Sequence, residues 1–264
     1  MAFVPAVEML AHRIVWSLLF LGIITTFRRQ WRPIGKALRS PRLLATLMLS
    51  SCLVAVNWGV FIWAVAAGRV LESSLGYFIT PLLSVLLGVA VLSEKLRPVQ
   101  WAAIGLVAVA VAWQIIALGT IPWVALLLAA SFASYGFVRK LAAIEAIDGL
   151  TIEAILLTPI ALAWLWFQSA HGHGAFAAAG WRLDLLIAAS GPITALPLIL
   201  FVTGARRIRL ATVGLLQYIT PTCQFLIAIL VFDETFDNEH LVVFLCIWLA
   251  LGLYTVDLIR RARS

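Results

Sequence analysis

The stretch 69–96, RVLESSLGYFITPLLSVLLGVAVLSEKL, returns without a gap at 209–236 as RLATVGLLQYITPTCQFLIAILVFDETF, an offset of 140. Eight of the 28 positions are identical: Arg69, Leu75, Ile79, Thr80, Pro81, Leu86, Val91 and Glu94 recur as Arg209, Leu215, Ile219, Thr220, Pro221, Leu226, Val231 and Glu234. Matches of Leu and Val come cheaply in an apolar chain. A shared Ile-Thr-Pro with a Glu 13 residues later does not, so the repeat orders the rest of the reading.

Around this repeat the chain is 63% hydrophobic and only 12% charged, a composition that excludes a soluble domain and describes an all-α polytopic membrane protein. Nine apolar segments have the length needed to cross ~30 Å of hydrocarbon: 7–27, 43–65, 71–93, 98–118, 121–138, 149–169, 183–204, 210–232 and 240–258. The first carries Glu8, His12 and Arg13 at its start and has no small-residue cleavage site, unlike a signal peptide. Cys52, Cys223 and Cys246 lie inside apolar runs and read as small fillers rather than a disulfide framework. The chain carries a net charge of +7, but its charges sit in loops between spans, so no nucleic-acid partner is expected.

Those loops alternate. Arg28, Arg29, Arg32, Lys36, Arg39 and Arg42 follow the first span; Lys95 and Arg97, then Arg139 and Lys140, then Arg206, Arg207 and Arg209, then Arg260, Arg261 and Arg263 follow every second span after it. That places 16 of the 19 basic residues on one side. The positive-inside rule makes this side cytoplasmic, with the carboxyl terminus, and leaves the acidic loop 233–239 outside. The two copies of the repeat are then separated by five helices and run in opposite directions, an inverted repeat of the kind found in secondary transporters. Equivalent prolines, Pro81 and Pro221, fall mid-span, where each removes a backbone N–H and points to an interrupted helix beside a cavity. Pro159, Pro192 and Pro197 also lie inside spans.

Candidate cavity residues follow from the repeat. Tyr77, Pro81, Ser84 and Gly88 share one helical face, and Gln217, Pro221, Gln224 and Ala228 form the matching face of the second copy. Asn57 and Trp58, Pro197 (the offset partner of Asn57), Ser131, Ser134 and Tyr135, and Tyr218 complete the set. Aromatic groups with a few polar ones suit an amphipathic organic molecule, although each Ser or Gln alone could equally serve as interhelical glue. Trp63, Trp101, Trp113 and Trp123 read as an interfacial belt. His12, Arg13, Glu72, Glu94 and Glu234 are gate or proton-coupling candidates, with an Arg13–Glu72 ion pair at the external mouth as the structural alternative. His171 and His173 lack further ligands at useful spacing, so no metal site is expected. No cofactor or nucleotide motif and no nucleophile–base pair can be picked out, which argues against an enzyme.

The stretches EMLAHRIVWS (8–17), NWGVFIWAV (57–65), LESSLGYFITPL (71–82), SYGFVRK (134–140) and RLATVGLLQYITPT (209–222) with Asp233 and Glu234 resemble the RarD-type permeases, in the EamA-like branch of the drug/metabolite transporter superfamily. The resemblance spans essentially the whole chain. It implies an inner-membrane permease of ten helices with a central cavity, exporting metabolites or drugs, and the group's name carries an association with chloramphenicol. It supplies no catalytic residues. Residues 1–120 would form the first repeat and 121–264 the second, and the span 121–138, mapped back by the offset, falls before Met1. The expectation is therefore nine transmembrane helices in two inverted five-helix repeats, the first helix of the first repeat missing. The expected partners are a small-molecule substrate and the bilayer, with a homodimer left open. A non-transporting scaffold or an enzyme acting on a lipid-linked substrate stands as the alternative.

Overall fold

A computed structural model describes residues 4–171, 174, 176, 180–223 and 238–262. Among the described residues the secondary structure is helical throughout. The helices are α1 (Ala6–Phe27), α2 (Trp31–Leu38), α3 (Pro41–Ala66), α4 (Val70–Ala90), α5 (Pro98–Leu118), α6 (Trp123–Leu141), α7 (Ala146–Ala170), α8 (Trp181–Arg207), α9 (Leu210–Leu216) and α10 (Asn238–Ala262). Seven of them are long and apolar enough to cross a membrane: α1, α3, α4, α5, α6, α7 and α8. Their bounds lie within a few residues of the first seven expected spans. At the ninth, α10 carries a shorter apolar stretch, Leu245–Asp257. Of the eighth, α9 and a helical turn at 219–223 are described, and the remainder lies outside the described residues.

Three expectations need correction. The basic loop after α1 is not a plain loop. It contains α2, an amphipathic helix whose Ile34 and Ala37 are buried against Leu47, Ala142, Ile144 and Ile152, while Arg32, Lys36 and Arg39 stay exposed. Second, helix α6 runs on to Leu141, so Arg139 and Lys140 belong to its last turn. Third, the intramembrane prolines do not interrupt α4, α7 or α8, which pass unbroken through Pro81, Pro159, Pro192 and Pro197. Backbone carbonyls near these prolines find local side-chain donors: Thr80 donates to Gly76 O and Ser84 to Thr80 O in α4, Thr158 to Ala154 O in α7, and Thr194 to Ser190 O in α8. The break comes instead at Gln217 and Tyr218, between α9 and the turn at 219–223.

The chain divides into two compact units, Met1–Ala66 with Val138–Arg207, and Ala67–Phe137 with Ile208–Ser264. Residues 69–96 and the described part of 209–236, the two stretches related by the offset of 140, both belong to the second.

In the first unit α1 packs along α7 and α8, and α3 and α2 pack on α7. Thr25, near the end of α1, meets Thr151, near the start of α7, at 3.2 Å. Arg28 just beyond α1 pairs with Glu145 just before α7 at 3.1 Å. The two helices are therefore antiparallel. Small residues bring α1 against α8: a Cβ on Gly191 would fall 2.4 Å from the Trp16 carbonyl carbon, and Ser17 donates to Gly191 O at 3.0 Å. Lipid chains are as apolar as Leu, so such close backbone packing and polar links, rather than hydrophobic burial, hold membrane helices together.

The second unit joins α4, α5, the larger part of α6, α9 and α10 around Leu75, Phe78, Ile79, Leu215 and Tyr218. α5 begins cleanly: Pro98 stands at its first turn, Gln100 accepts the Arg97 N–H at 3.1 Å, and Gly119 ends it with φ 68°. Asp257 of α10 ties back to this start, accepting from Arg97 and Gln100 at 3.2 and 3.1 Å.

Candidate functional site

Unit two contains the repeat-related pair α4 and α9. Glu94, four residues beyond α4, accepts the backbone N–H of Leu210 at 2.7 Å and of Ala211 at 3.0 Å. Its carboxylate satisfies two of the orphan donors at the start of α9 and sits at the positive end of that helix. Farther along, Gln217 lies 3.3 Å from Ser84, and Tyr218 donates to Phe78 O at 2.8 Å. Advancing along α9 moves back along α4, so the two run antiparallel. Tyr218 and Phe78 are themselves 140 residues apart, so the repeat brings a residue onto its own counterpart. The fit is close: a Cβ on Gly214 would fall 2.6 Å from Pro81 O.

The structure thus brings Pro81, Ser84, Gln217 and Tyr218 together, with Pro81, Ser84 and Tyr218 buried in the α4–α9 contact. Ser131 and Tyr135 are buried in the same unit, Ser134 is half-buried, and Tyr77 is 38% exposed. Asn57 and Trp58, both half-buried, and Pro197, exposed, belong to the other unit. Gln224 and Glu234 lie outside the described residues, as does His173.

The gate candidates resolve differently from the expectation. Glu72 pairs with Arg69 at the start of its own helix, at 2.7 Å, rather than with Arg13. The pairing follows from sequence distance, since residues three apart on a helix are neighbours. Arg69 also lies over the Trp123 ring, 5.1 Å from its centroid. His12 stands 3.9 Å from Glu8 one turn back and against Phe176, with ring centroids 5.2 Å apart. His171 is exposed and bonds the Phe167 carbonyl of its own helix.

Sequence reasoning missed a buried ion pair in the first unit. Arg139, fully buried, lies with Nε 3.2 Å from Glu153 Oε1, and Glu153 keeps 4% side-chain exposure. Ser50 of α3 donates to the same Glu153 oxygen. Arg139 Nη2 donates to Ala146 O at 3.2 Å, while Nη1 has no hydrogen-bond partner among the described residues. Gly149 makes room: a Cβ there would fall 2.2 Å from Nη1. Nearby, Asp148 is buried, its Oδ1 without a hydrogen-bond partner among the described residues, on the wall of a cleft of about 400 Å³ lined also by Gln30, Lys36, Ser40 and Glu145. Glu153 was detectable, as an acidic residue seven positions beyond the start of α7 and two turns in from that end. A charge that deep in an apolar span marks a functional site by default. Arg139 was not, because it reads as one more basic residue of a loop.

Among the described residues no group of three His, Cys, Asp or Glu side chains could hold a metal ion. What the two units present is close helix packing with isolated polar and charged points inside apolar helices. The EamA-like transporter family profile matches residues 1–116. Nearly full-length relatives include the uncharacterized transporter YojE of Bacillus subtilis (strain 168), 45% identical over 98% of this chain and 88% of that one. Protein RarD of Streptomyces exfoliatus is 44% identical over 98% of this chain and 82% of its own length. The chain belongs to the EamA-like transporter family, as a RarD-type permease.

A second relative named RarD, the chloramphenicol-sensitive protein RarD of Pseudomonas aeruginosa, is 34% identical over 98% of this chain and 87% of its own length. A crystal structure matches the fold with a TM-score of 0.68, covering 100% of this chain and 91% of that one at 17% identity. As a RarD-type permease the chain is a multi-pass membrane protein and a membrane transporter.

Proposed function

We propose that this RarD-type permease is an inner-membrane secondary transporter that exports small organic metabolites or drugs by alternating access. The observation that carries the reading is the division into two compact units, each with its own packing. Alternating access needs two bodies that can move as wholes around a fixed site, and inverted repeats supply them. The antiparallel packing of α4 on α9 supports an inverted relation between the copies. In this reading Tyr77, Ser134 and Gln217 of the second unit line the path, and the basic loops with the carboxyl terminus lie in the cytoplasm. Neither a scaffold nor an enzyme on a lipid-linked substrate has a specific observation in its favour.

The test is counterflow in proteoliposomes, with chloramphenicol as the first labelled probe because a RarD relative is named for sensitivity to it, followed by a panel of amphipathic metabolites. Saturable exchange above that of empty vesicles supports the proposal, and its absence across the panel overturns it. Orientation is read separately by impermeant thiol labelling of single cysteines in a background lacking Cys52, Cys223 and Cys246. A cysteine at Thr120 should label from outside the cell and one at Ser40 should not.

A further inference from the structure

We propose that Glu153 is a proton-binding site, and that its protonation loosens the tie holding the last turn of α6 to the first unit. The inference deepens the transporter reading and rests on it only for the use made of the proton. Three features carry it. The carboxylate is buried inside a span, where a charge is expensive and a protonated acid is not. Its counter-ion, Arg139, is not fully satisfied, since Nη1 lacks a hydrogen-bond partner among the described residues. And Ser50 Oγ lies between Glu153 Oε1 and the Leu47 carbonyl, 3.0 Å from the latter.

The third feature suits both protonation states. With Glu153 ionised, the Ser50 hydroxyl donates to the carboxylate. With Glu153 protonated, the new O–H donates to Ser50 Oγ, and the hydroxyl hydrogen turns to Leu47 O. A hydroxyl is donor and acceptor at once, so neither state leaves a buried group unsatisfied at this point. The step forms one O–H bond on Glu153, takes its proton from hydronium in the solvent, which leaves as water, and raises the charge of the cluster by one. The cleft walled by Asp148 brings water to the first turns of α7, on the side that the charge pattern assigns to the cytoplasm.

The other charged groups around this end of α7 have places of their own. Arg28 pairs with Glu145, Lys140 donates to Ala205 O, Lys36 lines the cleft with Asp148, and Arg206 and Arg207 close α8. Arg139 lies within ion-pair distance of Glu153. It stands two residues past the point where α6 passes from the second unit into the first, between Phe137 and Val138. Neutralising Glu153 removes the charge that anchors this turn, leaving Arg139 its bond to Ala146 O. A proton taken up at Glu153 thereby acts on the helix that the two units share.

The test uses the full chain in phosphatidylcholine vesicles and needs no substrate. Infrared difference spectra across a pH titration should show a carboxylic-acid carbonyl band in the wild type that is missing in Glu153→Gln and retained in Glu94→Gln. Hydrogen exchange at the amides of residues 138–141, corrected for intrinsic chemistry, should quicken as pH falls in the wild type and be fast at every pH in Glu153→Gln. Identical infrared titrations of wild type and Glu153→Gln, or pH-independent exchange at 138–141, overturn the proposal. Should Glu153→Gln fail to accumulate, Ser50→Ala decides. It removes the donor to the charged form and should move the titration midpoint toward higher pH, and an unmoved midpoint overturns the proposal. Counterflow measured in parallel keeps failure of the transporter reading separate from failure of this one.

Discussion

At the scale of single residues, the interior of the first unit depends on pairs that tolerate no single deletion. Removing Arg139 strands the Glu153 carboxylate in a low-dielectric site, and breaking a buried ion pair from one side costs roughly 3–5 kcal/mol. Arg139→Met should therefore lower the thermal midpoint in detergent sharply, while Arg139→Met with Glu153→Met should recover most of the loss, since apolar replacement of both partners is often neutral. A double variant no more stable than the single one would show that the charge pair is not the cause. Gly191 offers a second check. Its Cβ position is occupied by the backbone of Trp16, which cannot yield as a side chain does. Gly191→Ala should force α1 from α8 at a cost of about 1–3 kcal/mol, read as a lower melting temperature and lower membrane abundance.

At the scale of elements, α9 is a short helix held at its start by a carboxylate from another part of the chain. Seven residues cannot sustain a helix alone, so the two hydrogen bonds from Glu94 and the packing on α4 must do so. Glu94→Ala should cost about 0.5–2 kcal/mol, the range for loss of a cap, and should quicken hydrogen exchange at Leu210 and Ala211 ahead of the rest of the unit. Unchanged exchange there would mean that packing on α4 alone secures the helix. The same elements explain why prolines proved poor guides to interruption. In α4 Thr80 and Ser84 donate to carbonyls of their own helix and Tyr218 reaches Phe78 O from the neighbouring segment, so the helix continues through Pro81.

For the whole molecule, the division into two units sets the expectations for transport. If the path runs where Tyr77 and Gln217 belong, Tyr77→Ala and Gln217→Ala should reduce counterflow several-fold while leaving membrane abundance near the wild-type level. Parallel loss of both quantities would instead assign these side chains to helix packing. Tyr77 is the sharper test, being exposed in its unit, whereas Gln217 already contacts Ser84.

The sequence by itself determined the membrane-spanning character, the bounds of the first seven spans to within a few residues, the repeat and the family. These are properties of local sums. An apolar run of the required length has one stable environment, and an offset of 140 is visible without knowing what touches what. Only the tertiary structure decided that Arg139 turns inward onto Glu153, that Glu94 caps α9, and that the two repeated stretches pack within one compact unit. Each of those depends on which side chains meet between helices or within a turn. Hydropathy does not encode that choice, because a basic residue at a helix end reads the same whether its long side chain runs out to water or back to a buried carboxylate. Glu153 shows where the line falls: its depth in the span was written in the sequence, and its partners were not.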